Sequence, residues 1–159
     1  MPTAKTTTAT PAATPVTIKA KKLDPAAHLP EKATKDSACF DLYTLEQVHV
    51  RNLNADAQAT KVRTGIALEI PKGYHVEVFI RSSIGFNTKI RLANQTGIVD
   101  SDYTGELYIL IENPSRQPIT IPAGTRIAQM MLVRDIPTTI KEVKTIKQGA
   151  HKGFGSTGK

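Results

Sequence analysis

The chain has 159 residues, 40% of them hydrophobic and 22% charged, with a formal net charge of +7. That length suits one domain with enough apolar material for a core, and the composition excludes a wholly disordered chain. The single cysteine, Cys39, excludes an internal disulfide scaffold and a cysteine-built zinc site, and no run approaches the ~18–20 apolar residues that span a bilayer.

The excess charge sits at the ends. Residues 1–35 carry six lysines against two acids, residues 36–140 carry ten basic and eleven acidic residues, and residues 141–159 carry five lysines and one acid. A nucleic-acid-binding face concentrates basic residues, often among stacking aromatics. The first 35 residues hold no aromatic, so no specific nucleic-acid partner is expected. The start has neither the apolar run of a secretory signal nor the arginines of a transit peptide. No membrane partner is expected, and the expected setting is cytoplasmic.

Residues 1–17 hold seven threonines, four alanines and three prolines. Such a tail has little to bury and is expected to stay disordered. Val16–Ala20 is the first predicted strand. From Lys61 to Ile70, Val62, Thr64, Ile66, Leu68 and Ile70 share one face of a half-buried strand, and Lys61, Arg63 and Glu69 point the other way. Pro71-Lys72-Gly73 is a turn. Tyr74, Val76, Val78 and Ile80 alternate again, as do Leu107, Ile109 and Ile111, and then Ile127, Gln129, Met131 and Val133. Pro114 and Pro122-Ala123-Gly124 close strands. Only residues 26–36 or 141–148 suggest a helical turn. Many short strands at regular spacing predict an all-β sandwich or barrel.

Four segments are richer in polar residues or glycine than packing requires. Arg81-Ser82-Ser83 ends a predicted strand. A guanidinium fork with two hydroxyls suits phosphate oxygens, and equally suits a solvated strand end. Gly97 to Glu106 reads as a tight acidic hairpin bracketed by glycines. Its carboxylates serve local turn bonds or accept a proton from water. In Gly124 to Gln129, the amide of Gln129 falls on an apolar face and must find partners, in a neighbouring backbone or in a ligand. Gly153-Phe154-Gly155-Ser156-Thr157-Gly158 is either a frayed end or a cradle whose aromatic stacks on a flat ligand.

Together with Ala38-Cys39-Phe40-Asp41-Leu42, these segments resemble the five ordered motifs of the trimeric dUTP diphosphatases. The resemblance runs from about residue 37 to 158. Asn94 follows Arg81 by thirteen positions, and Asp100 follows Asn94 by six, as in that family's pattern.

The resemblance implies an all-β, jelly-roll-like antiparallel β-barrel or sandwich, assembled as a homotrimer with shared active sites. With the tail over 1–17 set apart by its composition, the expected organisation is a β domain over 18–148 and, as the resemblance implies, a flexible arm over 149–159 that closes on the site. The implied reaction takes dUTP and water to dUMP and pyrophosphate, with Mg²⁺ held mainly by the triphosphate. This chemistry keeps uracil out of DNA and supplies dUMP for dTMP synthesis. Asp100 would be the general base for the attacking water. Arg81, Ser82, Ser83 and Gln129 would hold phosphates, and Asp41 would face the metal through water. Asn94, Gly97 and the main chain of Ile98 and Val99 would read uracil. Tyr103 would exclude a ribose 2′-OH, and Tyr108 would add a substrate contact. Phe154, Gly155, Ser156 and Thr157 would complete the site when the arm closes.

Three departures from the family pattern stand out. Cys39 replaces a usual glycine, Val99 a commoner isoleucine, and Gly149 the arginine that opens the last motif. Lys152 or His151 is the expected substitute for that arginine. The nearest rival is a dCTP deaminase of the same fold. It requires a glutamate ten residues after the aspartate, where this chain has Leu110, with Glu112 displaced by ~7 Å along the strand. The second rival is a regulatory or binding protein that retains the fold.

Overall fold

Alternating apolar residues cannot bury one face alone, so the strands here pair and stack. The computed structural model describes residues 14–53 and 58–147. In chain order the elements are β1 (Lys19–Lys22), β2 (Phe40–Tyr43), β3 (Val48–Val50), β4 (Thr60–Glu69), β5 (Tyr74–Ile80), α1 (Ser82–Thr88), β6 (Arg91–Leu92), β7 (Gly97–Val99), β8 (Glu106–Glu112), β9 (Ile119–Ile121) and β10 (Arg126–Arg134). One sheet has the order β1-β4-β8-β6 and a second β2-β10-β5-β7, while β3 and β9 form a small ribbon. Every strand pair is antiparallel. The expected all-β, jelly-roll-like fold is the observed one. No helix among the described residues is long and apolar enough to cross a membrane.

The two four-stranded sheets share one core. Val62, Ile66, Leu107, Ile109 and Ile111 enter it from the first sheet, and Leu42, Val76, Val78, Ala128 and Met130 from the second. Burial of a side chain of this size contributes about 1.5–3 kcal/mol before entropy is counted. Within β4 the expected face is the buried one, with Val62, Thr64, Ile66 and Leu68 inside. A register shift between Arg63 and Ala67 bends β4 over β8. Gly65 sits there at φ +69, and a Cβ on it would lie 2.8 Å from the Ala27 Cβ. A side chain at this bend would collide with the core.

The structure departs from the sequence expectation at three places. The helical turn is not in residues 26–36 or in the described part of 141–148. It is α1, preceded by Arg81 in extended conformation. None of its residues is buried, so no apolar stripe announces it.

β10 departs from the expected alternation. A bulge between Arg126 and Ala128 shifts its phase by one residue. Ile127, Ala128 and Met130 are buried, whereas Gln129 and Met131 turn to the half-buried opposite face. A one-residue slip of this kind exchanges the two faces of a strand.

Gly97 to Glu106, expected as a hairpin, is not one. β7 pairs with β5 in one sheet, while β8 pairs with β4 and β6 in the other. The segment Asp100–Gly105 therefore crosses between sheets. It leaves an opening between the edge strand β7 and the first sheet.

Candidate active site

That opening is a cavity of about 490 Å³. Val78, Leu92, Leu107 and Ile109 form its apolar wall. Asn94, Gly97, Ile98, Val99, Asp100, Tyr103 and Tyr108 line it, joined by Lys61 and Leu110. β7 pairs with β5 along one side only. Its other side carries the open N–H and C=O groups of an edge strand, which suit an amide-like ligand.

The crossing loop is held by short local bonds. The Tyr103 N–H donates to the Asp100 carbonyl at 3.1 Å. The Tyr103 hydroxyl donates to the Glu106 carbonyl at 2.7 Å. The ring lies so close to Gly105 that a Cβ there would come within 2.9 Å of the hydroxyl oxygen. Asp100 stays exposed at the corner and also borders a neighbouring hollow lined by His75, Asp102 and Asp135.

Glu106 ties the loop to β4. Its carboxylate accepts from Arg63 Nε at 3.2 Å and from the Gly65 N–H at 2.9 Å. Burial alone would raise its pKa. The bonds from Gly65, Arg63 and Tyr108 outweigh burial and hold it below the ordinary carboxylate value. The bond to Glu106 in turn raises the Tyr108 hydroxyl, with burial adding to it. At the edge of the hollow, His75 Nδ1 lies 2.6 Å from Asp135 and Nε2 3.5 Å from Glu77. The bond to Asp135 raises the His75 pKa, against the opposing effect of burial.

A second cavity, of about 280 Å³, lies elsewhere on the fold. Asp41, Arg81, Ser82 and Gln129 line it, with Ala38 and Cys39. Strand register explains the meeting: Asp41 of β2 stands opposite Gln129 of β10, which stands opposite Phe79, two residues before Arg81. The buried Asp41 carboxylate takes Arg81 Nε at 2.9 Å and Arg126 Nη1 at 3.3 Å. One carboxylate thus holds two guanidinium groups, and the cluster keeps a net positive charge. Gln129 Nε2 reaches the Ile80 carbonyl at 3.5 Å, a weak bond that leaves the amide able to serve a ligand. The wall before β2 is fixed by Glu31: Tyr43 donates its hydroxyl to that carboxylate, and the Asp41 N–H donates to the Glu31 carbonyl at 2.7 Å. Burial, with Glu31 beside it, pushes the Tyr43 hydroxyl up to about 12.

No residue lines both cavities. Ser83 lines neither. Phe154, Gly155, Ser156, Thr157, His151 and Lys152 lie outside the described residues, as do residues 1–13 of the threonine-rich tail. Among the described residues no three His, Cys, Asp or Glu side chains gather as a metal site. Asp41 is the one carboxylate lining the second cavity, and a single carboxylate suits a magnesium ion that keeps most of its waters. Lys61, Arg126 and Glu106 are additions that the sequence left unassigned. Charged residues on the outer face of a strand carry no signal in one sequence.

The dUTPase family model matches residues 25–158. The deoxyuridine 5′-triphosphate nucleotidohydrolase of Nautilia profundicola is 37% identical over 145 residues, covering 89% of this chain and 99% of its own. That of Hydrogenobaculum sp. is 35% identical over 140 residues, covering 87% and 95%. Among solved structures, a dUTPase variant from Staphylococcus bacteriophage 80alpha with dUpNHpp superposes with a TM-score of 0.77 at 24% identity, over 89% of this chain and 96% of that one. A dUTPase variant from phage phi11 of S. aureus, described with a structural Mg(II) ion, gives 0.72 at 24% identity, over 81% and 97%.

Proposed function

The chain belongs to the dUTPase family, and we propose that its two cavities are complementary halves of one Mg²⁺-assisted site, completed between the subunits of a homotrimer. The reaction is hydrolysis of dUTP to dUMP and pyrophosphate. One observation carries the reading. Among the described residues, those expected around one substrate, Ser83 apart, divide into two cavities with no lining residue in common. One is uncharged apart from Asp100 and Lys61, and the other is lined by Arg81, whose partner Asp41 also holds Arg126.

The first cavity takes the nucleoside. Asn94 and the open edge of β7 pair with uracil. A buried edge matched to uracil leaves donors and acceptors unpaired against cytosine, which is a strong form of discrimination. The Tyr103 ring, fixed by its bond to the Glu106 carbonyl, fills the space a 2′-OH would need. The second cavity takes phosphates, with Arg81 and Ser82 as donors and Gln129 beside the α-phosphate. Ser83, in the next position of α1, joins them only if its side chain turns towards the ligand. Asp41 acts through the two arginines: it fixes where their remaining N–H groups point. Magnesium on the triphosphate would neutralise charge there, and Asp41 would meet its water shell.

Asp100 orients a water and takes its proton as the oxygen attacks the α-phosphorus. The new P–O bond forms in line as the bond to the pyrophosphate leaving group breaks, so positioning and charge neutralisation do most of the work. The last motif, from Phe154 to Thr157, covers the nucleotide in this reading and keeps bulk water out. His151 or Lys152 supplies the cation that Gly149 lacks.

Two features weigh against the deaminase. Leu110 lines the first cavity where the deaminase needs a carboxylate. Glu112 is held by Arg91 Nε at 2.5 Å. The experiment is pyrophosphate release from dUTP, dCTP, dTTP and UTP with Mg²⁺, with ammonia followed in parallel. Release from dUTP alone is the expected result. Ammonia from dCTP would favour the deaminase. No release at all would bring forward a regulatory protein that keeps the fold.

A further inference from the structure

Lys61 is the one cation lining the first cavity, and the chemistry above leaves it unused. It stands on β4 two residues before Arg63. Register places Lys61 opposite Leu110 and Arg63 opposite Tyr108, so the four share the outer face of their sheet. The two cations are used differently. Arg63 binds the Glu106 carboxylate at 3.2 Å. Lys61 has no ion pair among the described residues, although a lysine on β1 of the same sheet, Lys19, pairs with Glu69 at 2.7 Å. Its Nζ stands 3.6 Å from the centroid of the Tyr108 ring. The ring face attracts the cation, and the Lys61 stem covers apolar surface. Tyr108 itself stands opposite Arg63 in the β4–β8 ladder. The ammonium is thereby kept at the cavity, in the same lining as its single carboxylate, Asp100. An ammonium has three donors, and the ring face satisfies none of them as a hydrogen bond.

We propose that Lys61 is a further nucleotide-binding residue: its ammonium, seated on Tyr108, donates to an acceptor oxygen of the nucleotide in the first cavity. The inference rests on the dUTP reading of that cavity. A uracil nucleotide offers acceptors on the base and on its phosphates. Binding of this kind acts on ground state and transition state alike, so it lowers KM and leaves kcat unchanged.

The test is steady-state turnover of dUTP by the full-length wild type and by Lys61→Met, Lys61→Arg and Tyr108→Leu, alone and combined. Methionine keeps an apolar stem on the ring and removes the charge. Lys61→Met is expected to raise KM about five- to tenfold, with kcat within about twofold of wild type. Lys61→Arg should recover most of the loss, because a guanidinium also stacks on aromatic rings. Tyr108→Leu should raise KM in the wild-type background and have little further effect on Lys61→Met, the non-additivity of a coupled pair. Inhibition constants for deoxyuridine and dUMP locate the acceptor. Weakening of both places it on the nucleoside, and weakening of dUMP alone places it on phosphate. An unchanged KM with both inhibition constants unchanged overturns the proposal, provided the wild type hydrolyses dUTP. So does a Lys61→Met variant that loses kcat and thermal stability with KM unmoved. A wild type that releases no pyrophosphate from dUTP removes the reading of the cavity, and the role of Lys61 with it.

Discussion

The two cavities are built by opposite means. The first is made by topology: an edge strand in one sheet, a neighbour in the other, and a crossing segment that keeps them apart. It offers the open backbone groups of an edge strand and a Tyr103 ring packed against Gly105. The second is made by charge, with one buried carboxylate between two arginines from distant parts of the chain. A shape-built site is expected to fail through misfit, and a charge-built site through lost attraction and lost stability. Substitutions in each region should separate these two modes.

The largest effect is expected at Asp100, which stands exposed at the crossing and supports no packing. Asp100→Asn should lower kcat by about 10²–10⁴ through loss of the base, with little change in KM or melting temperature. Near-normal turnover would remove Asp100 from its role. Next is Asp41→Asn in the charge-built cavity. It leaves two guanidinium groups facing each other without their anion. Breaking a buried pair from one side costs about 3–5 kcal/mol; since Arg126 is half exposed, the lower end applies. Thermal unfolding should show that loss, and pyrophosphate inhibition should weaken with it. A stable variant with normal pyrophosphate binding would contradict the role of Asp41 as anchor.

Gly105→Ala sharpens the contrast from the other side. The added methyl group meets the Tyr103 hydroxyl at 2.9 Å. The ring should shift, and discrimination against UTP should fall by about tenfold, the effect of about 1.4 kcal/mol, with stability little affected. Unchanged discrimination would mean that the position of Tyr103 does not set sugar choice.

The smallest effect is expected at His75, which lies outside both cavities. Its folded pKa is raised, chiefly by the bond to Asp135. The protonated form is therefore bound more tightly in the folded state. That contribution is fully present below the unfolded pKa and is lost as pH rises through the folded value. The stability gap between wild type and His75→Asn should be largest in mild acid and vanish above neutrality. A gap independent of pH would assign His75 a packing role only.

Much of the frame was legible in the sequence because it rests on alternation. Val62 to Ile70, Tyr74 to Ile80 and Leu107 to Ile111 declare their buried faces by type alone. What resisted reading depends on three-dimensional pairing. The bulge that turns Gln129 out of the core leaves no mark in spacing. The partner of β7 is β5, not the strand that follows it, so a segment bracketed by glycines read as a hairpin. Asp41 meets Arg126 across 85 positions. Arg81 and Asn94 lie thirteen positions apart in sequence yet border different cavities. Lys61 looked like any charge on a solvated strand face.

The division of one substrate between two cavities is tested most directly by mixing two inactive variants. Asp100→Asn damages only the first cavity, and Arg81→Ala only the second. After denaturation together and refolding at equal amounts, a site built across subunits is intact whenever an undamaged first cavity meets an undamaged second one. Random assembly then restores about a quarter of wild-type dUTP turnover. Turnover that stays at the level of the separate variants, with mixed oligomers present, would contradict a site shared between subunits.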